Sequence, residues 1–302
     1  MRAYAFTKMH GCGNDYICID QFCPPYVRDP SALARQMSDR HTAVGSDGLI
    51  LICPPEDPAN HARMRMYNAD GSEGRMCGNG IRCVGKFLID HGYVRAPEFR
   101  IETGAGLRLV RPLMEGGVCI GATVEMGRAE FPACAIPGQP KSGSENAGAA
   151  KIPFWCAGTR YSMVAVSIGN PHAICFPDQS LKDLPLASLA ASVVSAAAEK
   201  GIFPDGVNVE VARLVAKDRL EMRVYERGSG ETMACGTGAC ATVCAAVLEG
   251  ACAMEHPITV GLRGGEVTVT VHSDFRVTLT GPAAVSFTGI YRVGGICGCG
   301  VG

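Results

Sequence analysis

The chain has 302 residues, enough for two domains, and its 47% apolar and 19% charged residues suit a globular protein with a sizeable core. A formal net charge of −1 leaves no basic face for nucleic acid and no acidic tail. No apolar run approaches a membrane span, and Met1 to Phe6 show neither a long apolar run nor a small-residue cleavage site, so no membrane partner is expected and the cytoplasm is the expected compartment.

In chain order, strands are expected around Ala3–Met9 and Tyr16–Asp20, joined by the polar loop His10-Gly11-Cys12-Gly13-Asn14-Asp15. Asp15 and Asp70 read as turn residues. Residues 30–40 read as a helix with Leu33, Ala34 and Met37 on one face. Gly45-Ser46-Asp47-Gly48 is a turn before the strand Leu49–Cys53, and a further strand covers 62–68. Cys77 opens a helix that runs to about Asp90, and strands follow from 98 to 126. The stretch 132–158, rich in Pro, Gly, Ser and Ala, reads as a boundary or surface excursion. The strand Ser162–Ser167 leads to Gly169-Asn170-Pro171-His172, and an Ala-rich helix covers about 184–200. Strands Val207–Val215 and Leu220–Tyr225 precede Cys235 and a second apolar helix ending before Gly250; the remainder reads as strands and turns.

One short stretch occurs twice, as Met76-Cys77-Gly78-Asn79-Gly80 and as Ala234-Cys235-Gly236-Thr237-Gly238. Sliding the chain by 158 aligns Met64-Arg65, Tyr67, Glu73, Cys77-Gly78 and Gly80 with identical residues, seven in seventeen ungapped positions. A shift of 156 places Gly13-Asn14 on Gly169-Asn170. Matches in one order at nearly one offset argue for two halves of one design. The expected fold is α/β (α+β): two pseudo-symmetric domains, each a curved, mostly antiparallel sheet around a central helix. The helix Ala239–Leu248 has no charged residue, so it has to be buried all round, whereas the first-half helix carries Arg82 and Lys86.

A cysteine at a helix N-terminus has its thiolate favoured by free N–H groups and the helix dipole, and the glycines let those groups approach a carboxylate. Two such sites offer a thiolate on one side of a carbon and a thiol on the other. One removes a proton and the other returns one from the opposite face, inverting the centre with neither metal nor cofactor. Two other readings stay open here: packing cysteines, and a thiol redox or zinc-binding protein suggested by the count of 16 cysteines. Cys18, Cys53, Cys119 and Cys175 lie in strand-like runs as small hydrophobes, and Cys297-Gly298-Cys299 reads as a flexible end. Glu73 and Glu231, at equivalent repeat positions, read either as bonding their own loop backbones or as serving the chemistry.

The blocks Lys8 to Asp15, Asn68 to Glu73, Cys77 to Cys83, Gly169 to His172 and Glu226-Arg227-Gly228-Ser229-Gly230-Glu231-Thr232 through Cys240 resemble diaminopimelate epimerase over nearly the whole chain. The resemblance implies interconversion of LL- and meso-diaminopimelate in lysine biosynthesis, without pyridoxal phosphate and without a metal. It implies Cys77 and Cys235 as the acid/base pair, tuned by His172 and Glu226. It implies Asn14, Asn68, Asn170, Asn208, Glu226 and Arg227 as substrate-holding residues, with Gly78, Asn79, Gly236 and Thr237 offering helix-start groups to the reacting carboxylate. It further implies a first domain of 1–128 plus 285–302, a second of 129–284, an active site between them, and a homodimer. The alternative within the same chemistry is a racemase for another amino acid such as proline, hydroxyproline or histidine. One departure stands out: many members carry a glutamine that touches the substrate where this chain has Gly48.

Overall fold

The computed structural model describes residues 2–131, 151–199, 201, 203–204 and 206–293. Among the described residues the chain forms two compact units, the first drawn from 2–11, 15–120 and 283–293, the second from 12–14 and 121–282. The elements run β1 (Arg2–Gly11), β2 (Asn14–Asp20), α1 (Pro30–Ser38), β3 (Gly48–Cys53), β4 (Ala62–Asn68), β5 (Glu73–Gly74), α2 (Gly78–Asp90), β6 (Phe99–Thr103), β7 (Gly106–Glu115) and β8 (Val118–Arg128). They continue with β9 (Lys151–Cys156), β10 (Thr159–Ser167), β11 (Pro171–Cys175), α3 (Leu186–Glu199), β12 (Asn208–Ala216), β13 (Arg219–Glu226), β14 (Gly230–Glu231), α4 (Gly236–Leu248), β15 (Pro257–Leu262), β16 (Gly265–Val271), β17 (Arg276–Pro282) and β18 (Ala284–Val293).

The expected internal repeat is realised as topology. In the first unit β2 pairs parallel with β3, β3 antiparallel with β4, β4 parallel with β6, and β6 antiparallel with β7. In the second unit β11–β12, β12–β13, β13–β15 and β15–β16 repeat those senses in the same order. Each parallel step carries a helical crossover, as parallel pairing requires: α1 for β2–β3 and α3 for β11–β12. The α+β reading of two similar halves is borne out.

Each sheet separates two helical layers. Leu49 and Leu51 of β3 pack with Leu33, Ala34 and Met37 of α1, while Ile50 faces the turn that opens α2. In the second unit Val209 and Val211 pack with Leu186, Leu189 and Val193 of α3, and between them Glu210 turns to the α4 side. Period-two alternation in a strand covered on both faces explains this division.

The second unit's sheet closes around α4. The pairings run from β10 through β11, β12, β13, β15, β16 and β17 to β8, and backbone bonds between Glu130 and Ser167 complete the ring. A helix apolar on every side needs such a cage, and Ala239 to Ala246 are buried throughout. In the first unit Arg82 and Lys86 of α2 are buried as well, against the expectation that they mark a less buried helix. Both are satisfied internally: Arg82 by Gly78 O and Asn79 Oδ1 at 2.9 Å each, Lys86 by Cys119 O at 2.5 Å and Asp90 at 2.8 Å.

Three local expectations are corrected. Residues 151–156 form a strand, not an excursion: Ile152, Phe154 and Cys156 point inward while Lys151, Pro153 and Trp155 face out, an alternation that the composition masked. Residues 132–150 and the Cys297-Gly298-Cys299 tail lie outside the described residues. Asp15 is no turn former but the centre of an ion network with Lys8 at 2.7 Å and Arg40 at 2.7 Å. Burial opposes its charge, yet hydrogen bonds and attraction from Arg40 and Lys8 outweigh this and lower it to about 2. Asp70 does serve its turn, accepting from Ser72 N and Oγ. Glu73 and Glu231 bond arginines, not their own backbones: Arg65 holds Glu73 and Arg223 holds Glu231, each at 2.9 Å and again at the 158-residue offset.

Buried thiols make stability fall at alkaline pH. Burial raises Cys18 well above its usual value, and it raises Cys244 to about 12. Their raised folded values give a contribution that is intact below the unfolded value of about 8.5 and is lost as pH rises above it. Folding free energy is expected to fall by roughly 2–3 kcal/mol from these two groups between pH 9 and 10. Urea unfolding across that range checks it, and a flat profile would contradict it.

Candidate active site

The two repeated turns build the same object. Cys77 is the N-cap of α2, with φ −137° and ψ 125°, and its Sγ accepts from Gly80 N at 3.4 Å. Cys235 is the N-cap of α4, with φ −125° and ψ 113°, and its Sγ accepts from Gly238 N at 3.3 Å. Sulfur thus stands where serine or aspartate ordinarily caps a helix, and an N–H aimed at sulfur favours the thiolate. A side chain at the third residue of each helix would displace a neighbour. A Cβ on Gly80 would lie 2.8 Å from Ile50 Cδ1, and one on Gly238 would lie 2.5 Å from Glu210 Oε1.

The turns differ in what surrounds them. In the first unit Gly78 and Asn79 follow Cys77 into the helix, both buried, and Asn79 Oδ1 is held by the fully buried Arg82. The Tyr16 phenol donates to Cys77 Sγ at 3.2 Å. Asn68 is exposed at the end of β4, its Nδ2 donating to Ser72 Oγ at 2.9 Å.

In the second unit a chain of hydrogen bonds runs from a buried carboxylate to the thiol. Glu210 Oε1 lies 2.7 Å from His172 Nδ1, and neither side chain has any exposed surface. His172 Nε2 lies 3.1 Å from Asn170 Oδ1, Asn170 Nδ2 donates to Thr237 Oγ1 at 3.3 Å, and Thr237 Oγ1 lies 3.5 Å from Cys235 Sγ. Only an N–H at Nε2 satisfies Asn170 Oδ1, so this imidazole is a donor on that side. Glu226 lies beside the same thiol, with Oε1 accepting from Thr232 Oγ1 at 2.5 Å.

These neighbours decide protonation. Burial pushes the Cys235 thiol well up, and the Glu226 and Glu210 carboxylates push it further; the Thr237 hydroxyl and Gly238 N–H pull it back. Burial also raises Glu226, helped by Glu210 and opposed by Thr232. A raised Glu226 and a raised Cys235 lie side by side, an arrangement suited to passing a proton at sulfur.

The remaining expected residues lie nearby in the second unit. Asn208 starts β12, opposite His172 in the parallel register, and its Oδ1 accepts from Arg227 N at 2.9 Å. Arg227 is exposed, and its chain passes over Gly206, where a Cβ would stand 2.8 Å from Arg227 Cδ. Gly236 is buried behind Cys235, and Asn14 groups with the second unit. Sequence reasoning missed Glu210 and Tyr16. Glu210 had a visible signal, a carboxylate alternating with Val209 and Val211 in a buried run. Tyr16 had one too: extending the 156-residue slide by two positions places it on His172. Gly48 has a structural reason, because a Cβ there would lie 2.3 Å from Tyr67 O.

A buried helix with a thiol at its start thus occurs once in each unit. The structure is similar to a hydroxyproline epimerase from Agrobacterium vitis, with a TM-score of 0.67 at 15% identity over 96% of this chain and 92% of that one. The family model for diaminopimelate epimerase matches residues 6–132 and 164–286. The diaminopimelate epimerase of Geobacillus kaustophilus is 45% identical over 293 residues, 96% of this chain and 97% of that protein. That of Desulfovibrio desulfuricans is 42% identical over 297 residues, 96% and 99%. The chain belongs to the diaminopimelate epimerase family.

Proposed function

We propose that this enzyme interconverts LL- and meso-diaminopimelate in lysine biosynthesis by a two-thiol mechanism, with Cys77 and Cys235 as the acid/base pair. The observation that carries the reading is the duplicated Cys N-cap, one in each unit, each sulfur receiving a helix-start N–H. One thiolate removes the α-proton and the other thiol supplies a proton to the opposite face, which requires the two sulfurs to flank one carbon. The helix-start groups of Gly78, Asn79, Gly236 and Thr237 stabilise the charge that develops on the adjacent carboxylate, and this is where a carbanion needs help.

In this reading Glu226 takes and returns the Cys235 proton, its own raised value matching it to that thiol. His172 acts through Asn170 and Thr237, fixing the amide so that the Thr237 hydroxyl is free to donate to sulfur. Asn14, Asn68, Asn170 and Asn208 hold the ammonium and carboxylate groups, and exposed Arg227 takes a carboxylate bidentately. The enzyme works in the cytoplasm as a homodimer; the described helices include none long and apolar enough to cross a membrane. Exposed Val285, Phe287 and Ile290 on β18 give apolar surface suited to self-association, and the mass in solution tests this part.

A substrate panel tests the reaction. Reduced enzyme is expected to convert LL-diaminopimelate to the meso form and to leave proline, hydroxyproline and histidine unchanged. Turnover of one of those instead would establish the alternative racemase, with Gly48 the first position to examine.

A further inference from the structure

The first thiol turn holds a contact that the duplicated motif does not supply. Tyr16, 5% exposed, reaches from β2 and donates its phenol O–H to Cys77 Sγ at 3.2 Å. Its ring is seated opposite Gly48 in the parallel β2–β3 register, and a Cβ at position 48 would lie 3.3 Å from Tyr16 Cε1. A side chain at position 48 would therefore crowd the ring. The Cys77 sulfur accepts from the Tyr16 hydroxyl and the Gly80 N–H, while β3 and β4 present the apolar Ile50 and Met64 to the turn. The charged group within the opening turns of α2 is the fully buried Arg82 cation.

The second turn is the reverse. His172 occupies the place that the 156-residue offset gives to Tyr16, but both its nitrogens are engaged, with Glu210 and Asn170. Two carboxylates, Glu226 and Glu210, act on that sulfur. The two halves thus share a backbone plan and differ in groups set on the sulfur: the Tyr16 hydroxyl donates to Cys77, and the Glu226 and Glu210 carboxylates act on Cys235. Such a difference separates two otherwise equal thiols into a resting base and a resting acid.

We propose that Tyr16 is a positioning residue for the acid/base chemistry. Its hydroxyl stabilises Cys77 as the resting thiolate and fixes the direction of Sγ, leaving Cys235 as the resting thiol. This rests on the reading of Cys77 as an acid/base thiol. The phenol keeps its own proton throughout. The substrate's α-proton goes to Cys77 sulfur, the electron pair stays on carbon, and the Tyr16 hydrogen bond weakens once the sulfur is neutral.

The test is the pH dependence of Cys77 alkylation by iodoacetamide in the free enzyme, read on the Cys77 peptide by mass spectrometry. In Tyr16→Phe the midpoint is expected to rise by about one pH unit, giving an alkylation rate roughly tenfold lower at neutral pH. The Cys235 peptide should keep its profile, and the acid limb of kcat/KM should move up with the Cys77 midpoint. Replacing Tyr16 with fluorotyrosine, a more acidic donor of nearly the same shape, is expected to lower the midpoint and carries the test should Tyr16→Phe fold poorly. Unchanged Cys77 midpoints in the folded variants would overturn the role of Tyr16. Full turnover by Cys77→Ala would instead overturn the reading beneath it, so the two failures are distinct.

Discussion

Cys77→Ala and Cys235→Ala are each expected to lower turnover by at least about 10²–10⁴-fold, the worth of one positioned proton-transfer group, while both proteins stay folded. Each side chain caps a helix with a single long N–H contact to sulfur, 3.4 Å for Cys77 and 3.3 Å for Cys235. Losing a cap costs about 1 kcal/mol, far too little to unfold units whose central helices are buried in sheet. The effect on rate should therefore greatly exceed the effect on stability. A variant with one thiol still holds half of the machinery. Cys235→Ala keeps the Cys77 thiolate and is expected to exchange the α-proton of one epimer slowly, without inversion. Inversion at near-normal rate by either variant would remove the two-thiol mechanism. Comparing circular dichroism and turnover on the same preparations decides the matter.

His172→Leu is expected to destabilise the second unit by about 3–5 kcal/mol at neutral pH, the usual result of leaving a buried ionic group without its partner. Glu210 is wholly buried, Oε1 has His172 Nδ1 at 2.7 Å, and Oε2 is already without a hydrogen-bond partner. Removing the imidazole takes away what makes the carboxylate tolerable there. The double variant His172→Leu with Glu210→Leu should recover most of the loss, because two apolar side chains suit a site lined by β11, β12 and α4. It should nevertheless stay slow, since Asn170 and Thr237 lose the donor that orders them. Urea unfolding of the two single variants and the double measures the coupling. A double variant no more stable than His172→Leu would show that the pair does not act as described.

The fold was legible to the extent that it is carried by repetition and alternation. The offset of 158 marks both thiol turns, and the uncharged run after Cys235 demands a cage, which the ring of strands around α4 provides. What escaped was whatever depends on a partner distant in sequence. Arg82 and Lys86 marked the first-half helix as less buried, because nothing near Lys86 in sequence reveals that the Cys119 carbonyl waits for it. Glu73 and Glu231 read as loop formers because the arginines that hold them stand across a strand pair, eight residues back. Strand β9 was hidden by proline and lysine on its outer face, although Ile152, Phe154 and Cys156 alternate regularly behind them. Within the site, the thiols and the polar loops were legible because their residue types are unusual at a glycine turn. The difference between the two halves was legible only in Glu226, since it also involves Tyr16 and Glu210, residues that read as ordinary members of apolar strands.

The central claim, two-sided proton transfer at one carbon, is tested most directly by solvent exchange. Reduced enzyme is incubated with LL-diaminopimelate in deuterated water, without pyridoxal phosphate, and deuterium at the α-carbon is followed alongside the meso product. Two separate thiols predict that every newly formed meso molecule carries solvent deuterium at the inverted centre, because the proton removed by one sulfur is not the one returned by the other. Meso product that retains the original hydrogen, or folded, reduced enzyme that exchanges nothing, would contradict it.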